Sequence, residues 1–287
     1  MLPIYYVGDW HHKNKNGLEL LEHTQSWKGE QDGIILVNHI DITILKNNNH
    51  VIFGPGVEFK QALDYCKTYQ GDKTIIFNAL SPWNKKLYET YASNPKVKYI
   101  ALPFPVDIQR FRPTTKKKRF FIYIKHVEKN RIEHISNLIH QCMELLHEYE
   151  YRTFTYGTYE EDDYLEYIQS AQFGIWVDAH ESQGFALEEA LSCDCPLFVY
   201  DITSMKDECM DNGYHPWAYI PFDLPATAAS YFDDRCGMIC DNKDLLYTMF
   251  LSFFQVIPRF TPRQFVLENL TTTQFSKKLE DIFKDTA

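Results

Sequence analysis

The chain has 287 residues and a net charge of −10, with a pI near 5.6, which excludes a general nucleic-acid binder, because phosphate contacts need concentrated Lys and Arg. Hydrophobic residues at 45% and charged residues at 24% exclude a disordered chain and supply apolar mass for true cores. The length suits two domains of ordinary size.

In chain order, Ile4 to Val7 reads as a strand, a helix lies near Leu18 to Thr24, and strands follow at Gly33 to Val37 and Val51 to Phe53. A helix near Val57 to Tyr69, a strand at Thr74 to Phe77, a helix near Lys85 to Ser93 and a strand at Lys98 to Leu102 complete the first part. Such alternation implies a parallel sheet with helices against it. Phe120 to Ile124 restarts the rhythm, followed by a helix at Ile132 to Tyr149, where Ile135, Leu138, Ile139, Cys142, Leu145 and Leu146 recur at helical spacing. Then come a strand at Tyr151 to Tyr156, a helix near Tyr164 to Ala171, strands at Phe173 to Val177 and Pro196 to Tyr200, and an amphipathic tail helix at Gln274 to Phe283.

No signal peptide is visible ahead of the first strand, and the apolar run Tyr247 to Pro258 is too short to span a bilayer. Seven cysteines, an odd number without a small secreted framework, read as reduced thiols and point to the cytoplasm. Cys193-Asp-Cys195 and the Cys236/Cys240 pair lack zinc-ligand spacing and read as buried thiols. The basic run Lys116 to Arg119 is either a solvated connector or a contact to an anionic acceptor or lipid surface, so peripheral membrane contact stays open.

Residues 178 to 201 carry the chemistry. Glu181 and Glu189 bracket a loop that becomes a helix at Gly184. The amides of Phe185, Ala186 and Leu187 point out of that helix start toward any anion or sugar oxygen placed there. The carboxylate of Glu189 leans back over the same mouth. Near the first strand, Gly8 precedes Trp10-His11-His12-Lys13, at the end of a strand where open α/β sheets present loops to ligands. Gly8 would let backbone approach a phosphate, and His11, His12, Lys13 or, after the next strand, His39 would touch an acceptor or leaving group; a plain solvated loop is the competing reading.

Two Glu residues separated by seven positions, with Gly184-Phe185 between them and Ala190 after, then a Pro-led apolar strand ending in Asp201, resemble the signature of retaining GT-B glycosyltransferases, most closely glycosyltransferase family 4. Pro105-Val106-Asp107 through Phe111-Arg112-Pro113 is similar to the family's linker, and Ile124-Lys125 through Lys129-Asn130 to its basic loop. The resemblance covers roughly residues 97 to 201. It implies two Rossmann-like domains with parallel sheets facing across a cleft: a small acceptor-side domain at 1–105 and a donor-nucleotide domain at 106–287, whose last helix, about 274–284, returns to the first.

It also implies Glu181 at the donor sugar, Glu189 at the nucleotide ribose, and Lys129 with Lys125 at the diphosphate. The chain departs from the pattern twice: Lys125 stands where Arg is usual, and Asp194 where Gly is usual, a position at which Asp can keep a left-handed turn. The implied reaction moves a sugar from a nucleotide-sugar donor to a glycan, glycoprotein or glycolipid hydroxyl with retention, with Glu181 orienting the sugar rather than attacking it. No Asp-any-Asp site is present, so no metal or other cofactor is expected. A sugar-nucleotide or glycan-binding protein without catalysis is the alternative, as is another GT-B activity such as a phosphorylase or a sugar-nucleotide epimerase.

Overall fold

The computed structural model describes residues 3–284 apart from 23, 30, 31, 47, 49, 57, 211 and 219–222. The chain divides into two compact units, Met1–Pro105 with Leu270–Ala287, and Val106–Asn269.

The first unit holds β1 (Ile4–Val7), α1 (His12–Glu19), β2 (Gln25–Ser26), β3 (Ile34–Val37), β4 (Val51–Phe53), α2 (Phe59–Thr68), β5 (Ile75–Asn78), α3 (Pro82–Tyr91) and β6 (Val97–Ile100). All pairings are parallel, in the order β2-β1-β3-β4-β5-β6. Strands β3, β4 and β5 are buried along their whole length, as a parallel sheet covered on both faces requires.

The first helix is not at Leu18 to Thr24, and His23 lies outside the described residues. It starts at His12, so His12 and Lys13 sit on its first turn rather than in a loop. Only Asn14, Gly17 and Leu18 of α1 are buried, which leaves no apolar period to see in the sequence. Gly17 is needed for close approach, since a Cβ there would lie 2.9 Å from the carbonyl oxygen of Pro105. Val57, the expected start of the second helix, is also outside the described residues. Glu58 caps α2, its carboxylate accepting from the amides of Lys60 and Gln61 at 3.0 Å each. Pro82 opens α3 three residues earlier than expected, at the position where its missing N–H costs nothing.

The second unit holds β7 (Arg119–Lys125), α4 (Lys129–Gln141), α5 (Met143–Leu146), β8 (Glu150–Thr155), α6 (Glu161–Ser170), β9 (Phe173–Asp178), α7 (Phe185–Ser192), β10 (Leu197–Tyr200), β11 (Gly237–Cys240), α8 (Leu246–Val256) and α9 (Pro262–Asn269). The strands pair in parallel in the order β11-β10-β9-β7-β8. The helix expected at Ile132 to Tyr149 is broken at Cys142, which leaves α5 as a separate turn. Most of the apolar run Tyr247 to Pro258 forms α8, whose Leu246, Phe250 and Phe253 recur at helical spacing in the core, the two phenylalanines against Phe173 and Phe198. Among the described residues no helix is long and apolar enough to cross a membrane.

The chain then enters α10 (Thr272–Lys284), which belongs to the first unit. Phe275 stacks on Phe104 at 5.9 Å between ring centroids, and Phe283 meets the His50 ring edge-on at 4.9 Å.

Helix α7 is held at both ends. Gly184, at φ +91°, turns the chain into it, and Asp194, at φ +55°, takes the left-handed turn that leaves it. Arg263 then clasps its C-terminal end. The guanidinium donates to the carbonyls of Ser192, of Phe111 at 3.0 Å and of Ile108 at 3.1 Å, tying the Ile108 to Phe111 segment to the end of α7. A fork of donors in one plane suits Arg and not Lys. Arg263→Ala is therefore expected to destabilise the second unit by about 2–3 kcal/mol in urea unfolding, and Arg263→Lys to recover little of it.

Candidate functional site

The order β11-β10-β9-β7-β8 places the switch point of the second sheet between β7 and β9, because the chain moves outward to β8 and returns on the other side of β7. In open α/β sheets ligands bind outside the carboxyl ends of strands at such a point. The register sets Lys125, the last residue of β7, opposite Asp178, the last residue of β9. Two ionisable side chains thus stand at the mouth of the crevice because two strands end level with each other.

The loop after β9 adds Glu181. Lys125 Nζ lies 2.6 Å from Glu181 Oε1, with the two side chains 15% and 14% exposed, so this is a nearly buried ion pair. Lys125 also sits over the Tyr156 ring at 4.8 Å. Burial works against both charges, but each outweighs it for the other: Glu181 is held below the usual carboxylate range by Lys125, and Lys125 is held above its ordinary value chiefly by Glu181. Asp178 is fully buried, and burial pushes its carboxyl well up against the pull of Lys125. Its Oδ1 accepts from the Ala179 amide at 2.7 Å.

Described residues of the connection from β10 to β11 are fastened to this loop. The Glu181 amide donates to the Thr227 carbonyl at 3.1 Å, and the Ser230 hydroxyl donates to the Glu181 carbonyl. Thr227 is itself anchored, its hydroxyl donating to Asp201 at 2.6 Å. The Cys209 amide donates to the carbonyl of His126, a residue held at φ +51° immediately after β7. Nδ1 of His180 lies 3.5 Å from Glu208. Burial depresses the His180 pKa despite Glu208, so the ring is neutral at neutral pH. Long irregular connections of this kind are usually functional.

Of the residues singled out in the sequence, Glu181 and Lys125 are in direct contact, and Gly184, Phe185, Ala186 and Leu187 form the start of α7 beside them. Glu189 is buried one turn further along α7. Lys129 is the first residue of α4 and is exposed. In the first unit, the switch point falls between β1 and β3. Gly8 and His39 meet there: Gly8 has φ +95°, and a Cβ on it would lie 3.0 Å from His39 Nδ1. His11 and His12 lie with ring centroids 4.4 Å apart at the start of α1, with Lys13 next to them.

Sequence reasoning missed Asp178, His180 and Arg131. Arg131 lies 3.7 Å over the Tyr200 ring and donates to the carbonyls of Tyr200 and Asp201 at 2.7 Å each, so it fixes the end of β10. The signal for Asp178 was present: it ends an apolar strand, a place where a lone carboxylate needs a partner.

No protein-family profile and no curated protein sequence matches the chain. Solved structures do. The chain is similar to the GtfA/B complex with TM-score 0.56 and 12% identity over 96% of this chain and 59% of that one. It is similar to the pneumococcal O-GlcNAc transferase GtfA, solved with UDP and GlcNAc, with TM-score 0.51 and 11% identity over 96% and 59%. It is also similar to sucrose-phosphate synthase from Thermosynechococcus elongatus, with TM-score 0.51 and 10% identity over 88% and 73%. The chain thus spans 59% of the length of the first two. Its two parallel sheets carry the GT-B glycosyltransferase fold.

Lys125→Met removes the cation from two buried carboxyls. The expected loss is about 3–5 kcal/mol at neutral pH in urea unfolding. Glu181 then loses the partner that depresses its pKa, so the deficit narrows as acid protonates it; a deficit that widens with falling pH would contradict the ion-pair account.

Proposed function

We propose that this chain is a glycosyltransferase that moves a sugar from a nucleotide-sugar donor to a hydroxyl of a glycan, glycoprotein or glycolipid, with retention and without a metal. The observation that carries the reading is the Lys125–Glu181 pair at 2.6 Å, set at the switch point of a parallel sheet beside the N-terminus of α7. The fold shared with solved glycosyltransferases supports the same class.

The chemistry asks for charge management. A nucleoside diphosphate leaves with growing negative charge, and donors fixed in advance stabilise it most effectively. In this reading the amides of Phe185 to Leu187, at the positive end of α7, and the exposed Lys129 meet the diphosphate, Glu189 holds the ribose, and Glu181 accepts from sugar hydroxyls while Lys125 keeps it ionised. Lys125 contributes to the phosphates as a field from behind Glu181. Gly8 of the first unit is a donor-binding candidate that lets backbone approach a phosphate, and His11, His12, Lys13 and His39 are the acceptor or leaving-group candidates.

A carboxylate clamped by a lysine is a poor nucleophile, which favours same-face departure and attack over a glycosyl-enzyme intermediate. The same clamp favours a second reading, a non-catalytic sugar-nucleotide binder, because it withdraws Lys125 from direct contact with a leaving group.

Saturation-transfer NMR with UDP-, GDP- and ADP-sugars separates the two. We expect one nucleotide class to bind, Glu189→Ala and Lys129→Ala each to weaken it about tenfold, slow sugar release in the same tubes, and turnover that survives EDTA. Binding without release would favour the binder, and no binding would defeat both.

A further inference from the structure

Three ionisable groups share the mouth of the second sheet, and only one is a cation. Lys125 Nζ is 2.6 Å from Glu181 Oε1, Asp178 is opposite Lys125 in the β7–β9 register, and the Asp178 side chain is fully buried. Two carboxylates beside one ammonium in a nearly dry site would leave a buried negative charge uncompensated, which is the arrangement that burial penalises most.

The hydrogen bonding says which carboxyl gives way. Glu181 has the lysine. Asp178 has the Ala179 amide on Oδ1 at 2.7 Å, and its buried Oδ2 takes no hydrogen bond from any described donor. As an acceptor, then, Oδ2 has no donor. As a protonated oxygen it has an acceptor within reach, because Glu181 follows three residues on in the same loop and the two carboxyls interact directly.

We infer that Asp178 is a positioning residue: a neutral carboxylic acid whose O–H donates to the Glu181 carboxylate, fixing it in place and leaving Lys125 to face a single negative charge. No net charge is then added where the diphosphate leaves. The inference rests on the sugar-transfer reading for its purpose, but not for its geometry. The groups around the pair are Lys125 and Tyr123 of β7, His180 of the same loop, and Tyr156 and Tyr159 after β8. Tyr123, Tyr159 and His180 are neutral at neutral pH, and Lys125 is the cation that faces both carboxyls; His126, next after Lys125, faces His180.

Two variants and one titration decide the matter. Asp178→Asn keeps the shape and a donor, its Nδ2 replacing the O–H, while Asp178→Ala removes the donor. In carboxyl 13C NMR without ligand, the Glu181 midpoint is expected to stay below the usual carboxylate range in Asp178→Asn and to rise in Asp178→Ala, since a hydrogen bond to the charged form has been lost. If Asp178 were ionised, Asp178→Ala would remove a like charge and the midpoint would fall. That opposite sign overturns the inference. Infrared spectroscopy at neutral pH should also show a buried protonated carboxyl that disappears in Asp178→Asn.

With the donor found by NMR, Asp178→Ala should weaken binding about tenfold and Asp178→Asn should restore it to within about threefold. Wild-type binding should decline at alkaline pH as Asp178 loses its proton, and the Asn variant should lack that limb. Equal losses in both variants would also overturn the inference. If no nucleotide-sugar binds, the functional reading fails while the Glu181 midpoint still decides the role of Asp178.

Discussion

A charged group removed from water must be matched where it stands, and at the mouth of the second sheet this requirement orders everything nearby. Lys125 and Glu181, 2.6 Å apart and each mostly buried, satisfy it for each other. The match depends on backbone far outside the pair. Lys125 is placed by the end of β7, and Glu181 by a loop fastened at its amide to Thr227 and at its carbonyl to Ser230. Thr227 is held by Asp201 at the end of β10, whose backbone is held in turn by Arg131. The ends of β7, β9 and β10 are thus tied to one ion pair by direct hydrogen bonds and strand register.

The same logic explains why α7 sits where it does. In the proposed function the start of α7 meets an anion, and such a start must not drift. Its entry is fixed by the left-handed Gly184 and its exit by Asp194 and the Arg263 clasp, which also fastens the Asp107 to Phe111 segment. The motif that marks the family resemblance is therefore a packing device at the C-terminal end of α7. The Asp194 substitution is accommodated by φ +55°, and its carboxylate accepts from the Arg263 amide at 3.3 Å.

Much of this was legible in the sequence, and what was missed has physical causes. Strands write continuous apolar runs, so Ile4–Val7 and the fully buried Val51–Phe53 emerged with their observed bounds. Helix α1 was misplaced because only three of its residues are buried. The strand, loop and helix that carry Glu181, Gly184 and Glu189 were placed correctly because they are contiguous in the chain. The pairing of Lys125 with Glu181 was not, because 56 residues separate them and their meeting depends on β9 returning beside β7 rather than beside β8. Asp178 ends an apolar strand in plain view, but its place opposite Lys125 is set by register and is not written in the sequence.

The central claim is that Glu181, clamped by Lys125, recognises the sugar and not the nucleotide. Calorimetric titration of the preferred nucleotide-sugar and of its bare nucleotide diphosphate, on the wild-type chain and on Glu181→Gln, tests it most directly. The account predicts that the wild type binds the nucleotide-sugar differently from the bare nucleotide and that Glu181→Gln erases this difference while leaving nucleotide affinity nearly intact. A difference that survives the substitution unchanged would contradict it.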